Sequence, residues 1–158
     1  MEYKKDKRIE NLTLRDIHVG DWVQVWSEKT ERYSPPLKII QICDDGTIYL
    51  VTSDEERPTP WEENIKDVDA LPITPGLLKG FGFNFGSSKK CLVLKPDREI
   101  DGVSRKIFHG NTFIGLLCEY SEGSVAFVAK RYCKYMHELS YSIAEHFQSV
   151  ELEWKGLE

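Results

Sequence analysis

The sequence has little of what marks the commonest functional classes. No apolar run approaches the ~20 residues needed to cross a bilayer. The four cysteines, Cys43, Cys91, Cys118 and Cys133, include no CxxC pair, which removes the usual zinc-knuckle and redox spacings. None of the patterns GxxxxGK[ST], GxGxxG or GxSxG occurs, so neither a nucleotide cradle nor a serine-hydrolase elbow has local support. Positive charge is also short: 21 Lys and Arg against 26 Asp and Glu give a net charge of −5. A surface of that average sign repels polyanions, which disfavours wholesale coating of nucleic acid. The basic cluster Lys4, Lys5, Lys7 and Arg8 reads as part of a solubilising tail.

What is present suits a globular domain. The 158 residues are 41% hydrophobic and 30% charged, with 7 Phe, 7 Tyr and 4 Trp. A chain of this length buries roughly two-thirds of the surface its unfolded form exposes. No signal peptide is read at the start, and each cysteine sits in an apolar run such as IIQIC, CLVL or GLLC. The thiols are therefore expected to be reduced and buried, and the chain cytoplasmic.

Along the first half, the spacing predicts short strands. His18-Val19-Gly20-Asp21 reads as a tight turn feeding a strand over Trp22 to Trp26, with Val23 and Val25 on one face and Trp22, Gln24 and Trp26 on the other. If the valines face inward, two outward tryptophans need a cover, expected from the second half of the chain. Ser27 to Ser34, followed by Pro35-Pro36, reads as a polar loop. Leu37 to Cys43 changes phase between Ile39 and Ile40, the signature of a bulge. Asp44-Asp45-Gly46 then predicts a type I′ hairpin into a strand over Thr47 to Thr52. After the acidic loop Ser53 to Pro60 come Trp61 and an apolar series, Ile65, Val68, Leu71 and Ile73, expected to close the first sheet.

Thr74-Pro75 offers an N-cap with proline at the first helical position and Gly80 a stop, predicting a short helix over Pro75 to Lys79. The alternation of glycine and phenylalanine from Gly80 to Gly86 has two readings, a ligand loop or three rings packed on the first sheet. Strands follow at Cys91 to Lys95, Arg105 to His109, Thr112 to Tyr120 and Ser124 to Arg131. The turns Asp101-Gly102, Gly110-Asn111 and Glu122-Gly123 between them imply an antiparallel meander. From Tyr132 the rhythm changes: Tyr132, Met136, Leu139, Ile143 and Phe147 share one helical stripe, predicting a helix over Arg131 to Gln148. Val150, Leu152 and Trp154 alternate as a short terminal strand would.

The expected fold class is α+β: an N-terminal SH3-like small β-barrel or meander, a short linking helix, and a second antiparallel meander covered by a C-terminal helix. Residues 1–11 form a flexible tail, 12–73 the SH3-like subdomain and 74–86 the helix and Gly/Phe connection. Residues 87–158 form the meander with its helix, packed as one unit with the first. Four stretches, IHVGDWVQV, DDGTIYLV, ALPITPGLLKGFGF and KYMHELSYSIAEHF, together resemble a family of small proteins of gut Bacteroidales and their prophages. The chain departs from that pattern at Ile73, where the family tends to have leucine, and in a longer first loop. The resemblance implies fold and mobile-element origin, implies no activity, and gives His137 a role in holding helix to sheet.

Chemistry-bearing motifs fail on spacing. His137-Glu138 lacks a second histidine, since position 141 is tyrosine, and Glu145-His146 lacks one at Ser142. On a continuous helix Cys133 would neighbour His137, the geometry of a nucleophilic pair. His18 and His109 fall at turns, where imidazole is usually solvated. The adjacent carboxylates Asp44-Asp45, Glu55-Glu56 and Glu62-Glu63 read as solvated charge. No catalytic residue, metal or cofactor is expected.

The remaining surface of interest is that of the first sheet. Trp22, Trp26, Tyr33, Tyr49 and Trp61, flanked by Lys29, Arg32 and Lys38, could stack on a peptide or nucleic-acid strand. The expected function is a non-enzymatic macromolecule-binding or adaptor module. A nucleic-acid-binding barrel is the alternative, and a hydrolase or transferase with a site between the subdomains comes third. The expected partner is a protein, with nucleic acid the alternative and no membrane. The chain would be a monomer or homodimer.

Overall fold

The computed structural model describes residues 12–52, 60–85, 92–94, 103–109, 114–120, 125–147 and 152–156. The 1–11 tail, the acidic loop at 53–59 and the three turn dipeptides of the second half lie outside them. The chain is α+β and divides into two compact units. Within the described residues, the first comprises 12–72 and Tyr135–Tyr141, and the second Ile73–Lys134, 142–147 and 152–156.

The first unit is an antiparallel sheet of β1 (Trp22–Ser27), β2 (Arg32–Tyr33), β3 (Leu37–Ile42), β4 (Thr47–Val51), β5 (Trp61–Asn64) and β6 (Val68–Asp69). The chain enters β1 through the predicted turn, where Gly20 takes φ +99° and Asp21 N–H donates to the His18 carbonyl at 3.1 Å. The expected polar loop over Ser27 to Ser34 is instead a hairpin, with Ser27 paired to Arg32 and Trp26 to Tyr33. Its strand is two residues long and polar, too short for alternation to reveal. From Trp26↔Tyr33 to Trp22↔Lys38, β1 advances four residues and the returning chain five. The extra residue falls at Ser34–Pro36, where the two prolines have no N–H to give the ladder.

The bulge expected near Ile39 and Ile40 is present, since the β3–β4 register shifts between Ile39 and Gln41. The Asp44-Asp45-Gly46 turn forms, but not as type I′, which needs positive φ at both central residues. Only Gly46 takes it, at +93°. Cys43 N–H donates to Thr47 O at 2.9 Å and Gly46 N–H to Cys43 O at 3.0 Å, closing a three-residue loop. Asp45 stabilises it by accepting the Thr47 N–H at 3.0 Å. Beyond β5, a 3-10 turn over Ile65–Asp67 is capped by Asn64, and Val68 pairs with Val25.

Val23, Val25, Leu37, Ile39, Ile48, Leu50 and Val68 are buried in one core cluster with Leu12, Ile17 and Ala70. The opposite face of β1 is buried as well: Trp22 is 1% and Trp26 7% exposed. The outward tryptophans of the sequence reading are therefore not surface residues.

The second unit holds α1 (Pro75–Gly80) and a five-stranded meander, in the order β11 (Val125–Arg131), β10 (Ile114–Tyr120), β9 (Val103–His109), β8 (Leu92–Leu94) and β7 (Asn84–Phe85). Every pairing is antiparallel, as the short turns implied. Thr74 caps α1 as expected, its Oγ1 accepting Leu77 N–H at 3.1 Å. Phe81 and Phe83 are buried, so these two rings belong to the core, and Phe81 meets Trp154 edge-on at 5.0 Å within the second unit. Trp154 lies in no strand. The segment 152–156 instead docks as irregular chain, with Lys155 N–H donating to Gly80 O at 2.8 Å.

The last helix, α2 (Met136–His146), starts five residues later than predicted. Tyr135 bridges to Pro72 and Met136 N–H donates to Leu71 O at 2.8 Å, so extended pairing takes the residues before it. Glu138 reaches back to accept Tyr135 N–H at 3.0 Å, half of a capping box. Met136, Leu139, Ile143 and Phe147 are buried as the stripe predicted, whereas Tyr132 stands 79% exposed ahead of the helix. Among the described residues no helix is long and apolar enough to cross a membrane.

Candidate functional site

The hairpin of β1 and β2 and the strand β5 enclose a recess of about 370 Å³ in the first unit. The hairpin supplies Val25, Trp26, Ser27, Thr30, Arg32, Tyr33 and Ser34, and β5 supplies Trp61 and Glu63. Two of its three rings are fixed. Tyr33 and Trp26, cross-strand partners, meet edge-on at 4.9 Å, and the Tyr33 hydroxyl donates to Asp69 Oδ2 at 2.7 Å. The third ring, Trp61, is 37% exposed.

The hydroxyls at the rim work for the backbone. Ser34 Oγ accepts Val25 N–H at 3.0 Å and donates to Pro35 O at 2.8 Å, while Ser27 Oγ accepts Thr30 N–H at 3.3 Å. They hold the hairpin's shape. Glu31, at φ +53°, completes the four-residue turn that carries the chain into β2.

Trp61 and Glu63 are two apart on β5 and so share a face, opposite Leu50 and Ile48 of β4, whereas Glu62 points the other way, opposite Tyr49. Adjacent in sequence, the two glutamates thus have different surroundings. Burial pushes the Glu63 carboxyl above its usual range, and the Asp67 charge adds to the shift. The Glu62 charge, ahead of other causes, raises the Tyr49 hydroxyl.

Of the residues expected at a binding surface, the recess gathers Trp26, Arg32, Tyr33 and Trp61 and leaves out four. Trp22 is buried in β1, Lys38 is half-buried opposite it, Tyr49 pairs with Gln41 and Glu62, and Lys29 is exposed on the hairpin turn. Sequence reasoning missed Glu63, taken for loop charge. Its signal was the two-residue offset from Trp61, readable only once β5 is known to be a strand.

A second cluster surrounds the turn into β1. Asp21 accepts His18 N–H at 2.8 Å and stands 3.5 Å from His18 Nδ1, and the His18 ring stacks on Tyr141 of α2 at 4.1 Å. His18 is therefore packed on one face rather than simply solvated. Burial pushes the Asp21 carboxyl up to about 6, with the His18 N–H and charge pulling the other way. Asp16 is held below its usual value, chiefly by the Thr13 N–H, with the His137 charge a lesser cause. His137 is half-buried and stacks on Tyr135 at 5.8 Å.

The Cys133–His137 pair does not form by helical spacing, because Cys133 precedes α2. Cys43 and Cys133 are half-buried rather than buried; the side chains of Cys91 and Cys118 lie outside the described ones. His109 ends β9 instead of standing in a turn. Among the described residues no three of His, Cys, Asp and Glu gather to hold a metal. No protein-family model, curated protein or solved structure matches the chain.

Proposed function

We propose that the chain is a non-enzymatic binding or adaptor module of mobile-element origin, whose first unit, an SH3-like small barrel, engages an extended peptide segment of a cytoplasmic protein partner. The observation that carries this reading is the recess between the β1–β2 hairpin and β5, with two rings fixed in place and a third, Trp61, open to solvent. A recess whose aromatic walls are already fixed costs little ordering on binding, and the charged groups on its lining, Arg32 and Glu63, can orient an extended peptide, which favours peptide capture. The strand β5 also ends the β1–β5 order of the sheet, so a peptide could pair with it while placing side chains in the recess.

Charge argues against the nucleic-acid alternative at this site. The lining holds one cation, Arg32, and one anion, Glu63, with Glu62 beside it on β5, whereas phosphate tracking needs a run of cations. The test is a titration of tryptophan fluorescence with a pool of random decapeptides and, separately, with single-stranded DNA at two salt concentrations. Peptide binding that Trp61→Ala removes supports the proposal. DNA binding that weakens steeply with salt, with no peptide binding, overturns it.

A further inference from the structure

We propose that the recess selects a basic side chain of its peptide, with the cation lying against the Trp61 ring and its charge directed at Glu63. The inference rests on the peptide-binding reading above and adds the chemistry of the residue recognised.

Three observations on one face of β5 carry it. Trp61 and Glu63 share that face and line the same recess, so a group seated there meets both. Trp61 stands 37% exposed, although the other two aromatic residues of the recess, Trp26 and Tyr33, are packed together. An open indole face is the preferred platform for an ammonium or guanidinium, more than a phenyl or phenol ring is. Finally, Glu63 is partly withdrawn from water and further opposed by Asp67, and no ion pair relieves it among the described residues. A half-desolvated carboxylate without a cation is a cost that a basic ligand removes and a neutral or acidic one leaves in place.

Arg32 sets the direction of the chain rather than the identity of the seated residue. It comes from β2 across the recess from β5 and is exposed at the rim. There it can meet a peptide carbonyl or carboxylate outside the recess, while Glu63 meets the side chain within. The two opposite charges face a bound peptide from different strands, a pattern that fixes orientation as well as composition.

The experiment uses the full chain and four pools of fluorescent decapeptides, random except for one fixed central residue: lysine, arginine, norleucine or glutamate. Norleucine keeps the aliphatic stem of lysine and deletes the charge. The expected result is binding of the lysine and arginine pools about tenfold tighter than the norleucine pool, with the glutamate pool weakest. Glu63→Gln, nearly isosteric, should narrow the difference between lysine and norleucine by weakening the lysine pool, leaving only the part that the Trp61 ring supplies. Equal affinity for lysine and norleucine, or a preference for glutamate, overturns the selection of a basic residue but leaves peptide binding standing. Failure of all four pools to bind overturns both proposals. A thermal melt of Glu63→Gln matching that of the parent shows that the altered binding is not loss of fold.

Discussion

The Tyr33 hydroxyl donates to Oδ2 of Asp69 across 2.7 Å, joining the partner of Trp26 on β2 to the partner of Gln24 on β6. Both partners stand on the same face of β1, so the phenol lies along that strand and its ring helps bury Trp26 edge-on. Asp69 is fully buried, and an oxygen there that loses a donor keeps its desolvation cost without the compensating bond. Tyr33→Phe should therefore destabilise the chain by about 1–3 kcal/mol. That is a fall of several degrees in melting temperature for a chain of this size. A melt unchanged by the substitution would show that the bond contributes nothing to the fold.

The buried carboxyl of Asp21 makes stability depend on pH in a defined direction. Its folded pKa stands at about 6, above the ordinary 3.8, so between those values the folded state holds more proton than the unfolded one. The contribution of the neutral acid is complete below about pH 4 and is lost as pH rises through about 6. Asp21→Asn keeps an oxygen for the His18 N–H but cannot ionise. Relative to the parent, the variant should gain up to about 3 kcal/mol between pH 4 and pH 7, read by urea denaturation at each pH. A difference between the two proteins that stays constant across that range removes the assignment.

Trp26 and Trp61 line the same recess yet should respond differently to truncation. Trp26 is 7% exposed and packed on Tyr33, so its replacement by alanine empties a core position. The expected loss is about 3–5 kcal/mol. Trp61 stands 37% exposed on the last strand of the β1–β5 order, and Trp61→Ala should cost no more than about 1 kcal/mol. Denaturation curves of the two variants check the contrast, and equal losses would mean that Trp61 is a packing residue.

Most of the strand grammar was legible because alternation and turn chemistry are local. The β3 bulge followed from the phase change between Ile39 and Ile40, and the cap of α1 from Thr74-Pro75. The β2 hairpin was not, since two polar residues cannot show a period, and what pairs them with β1 is the register of Trp26 and Ser27. Nor could the start of α2 be read: Tyr132 fits the helical stripe in spacing, but bonds from the Tyr135 region to Pro72 and Leu71, more than sixty residues away, forestall the first turn. The burial of Trp22 and Trp26 fits the expectation that these rings need a cover, but it takes Trp22 out of the expected binding surface. Alternation assigns residues to two faces of a strand and cannot say that both are covered. The recess depended on the same non-local facts, which is why only some of the expected surface residues converge there.

The link between Gly80 and Trp154 gives a test of the terminal segment. The two-residue alternation of Leu152 and Trp154 suggested a strand, but the segment 152–156 is held by a bond from Lys155 N–H to Gly80 O and by the indole lying over the end of α1. A Cβ added at Gly80 would overlap the Trp154 ring. Gly80 closes α1, and its φ is not among the positive ones, so an alanine there is unstrained in backbone terms and its effect isolates the contact. Gly80→Ala should displace the indole and cost about 1–3 kcal/mol, the range for overpacking, whereas the same change at an exposed helical glycine such as Gly76, with open space around it, should be neutral or stabilising. Combining Gly80→Ala with Trp154→Ala separates contact from conformation: the double variant should lose no more stability than Trp154→Ala alone, because the ring that the methyl would strike is gone. If the two losses simply add, the indole does not sit against Gly80, and the docking of residues 152–156 must rest on other contacts.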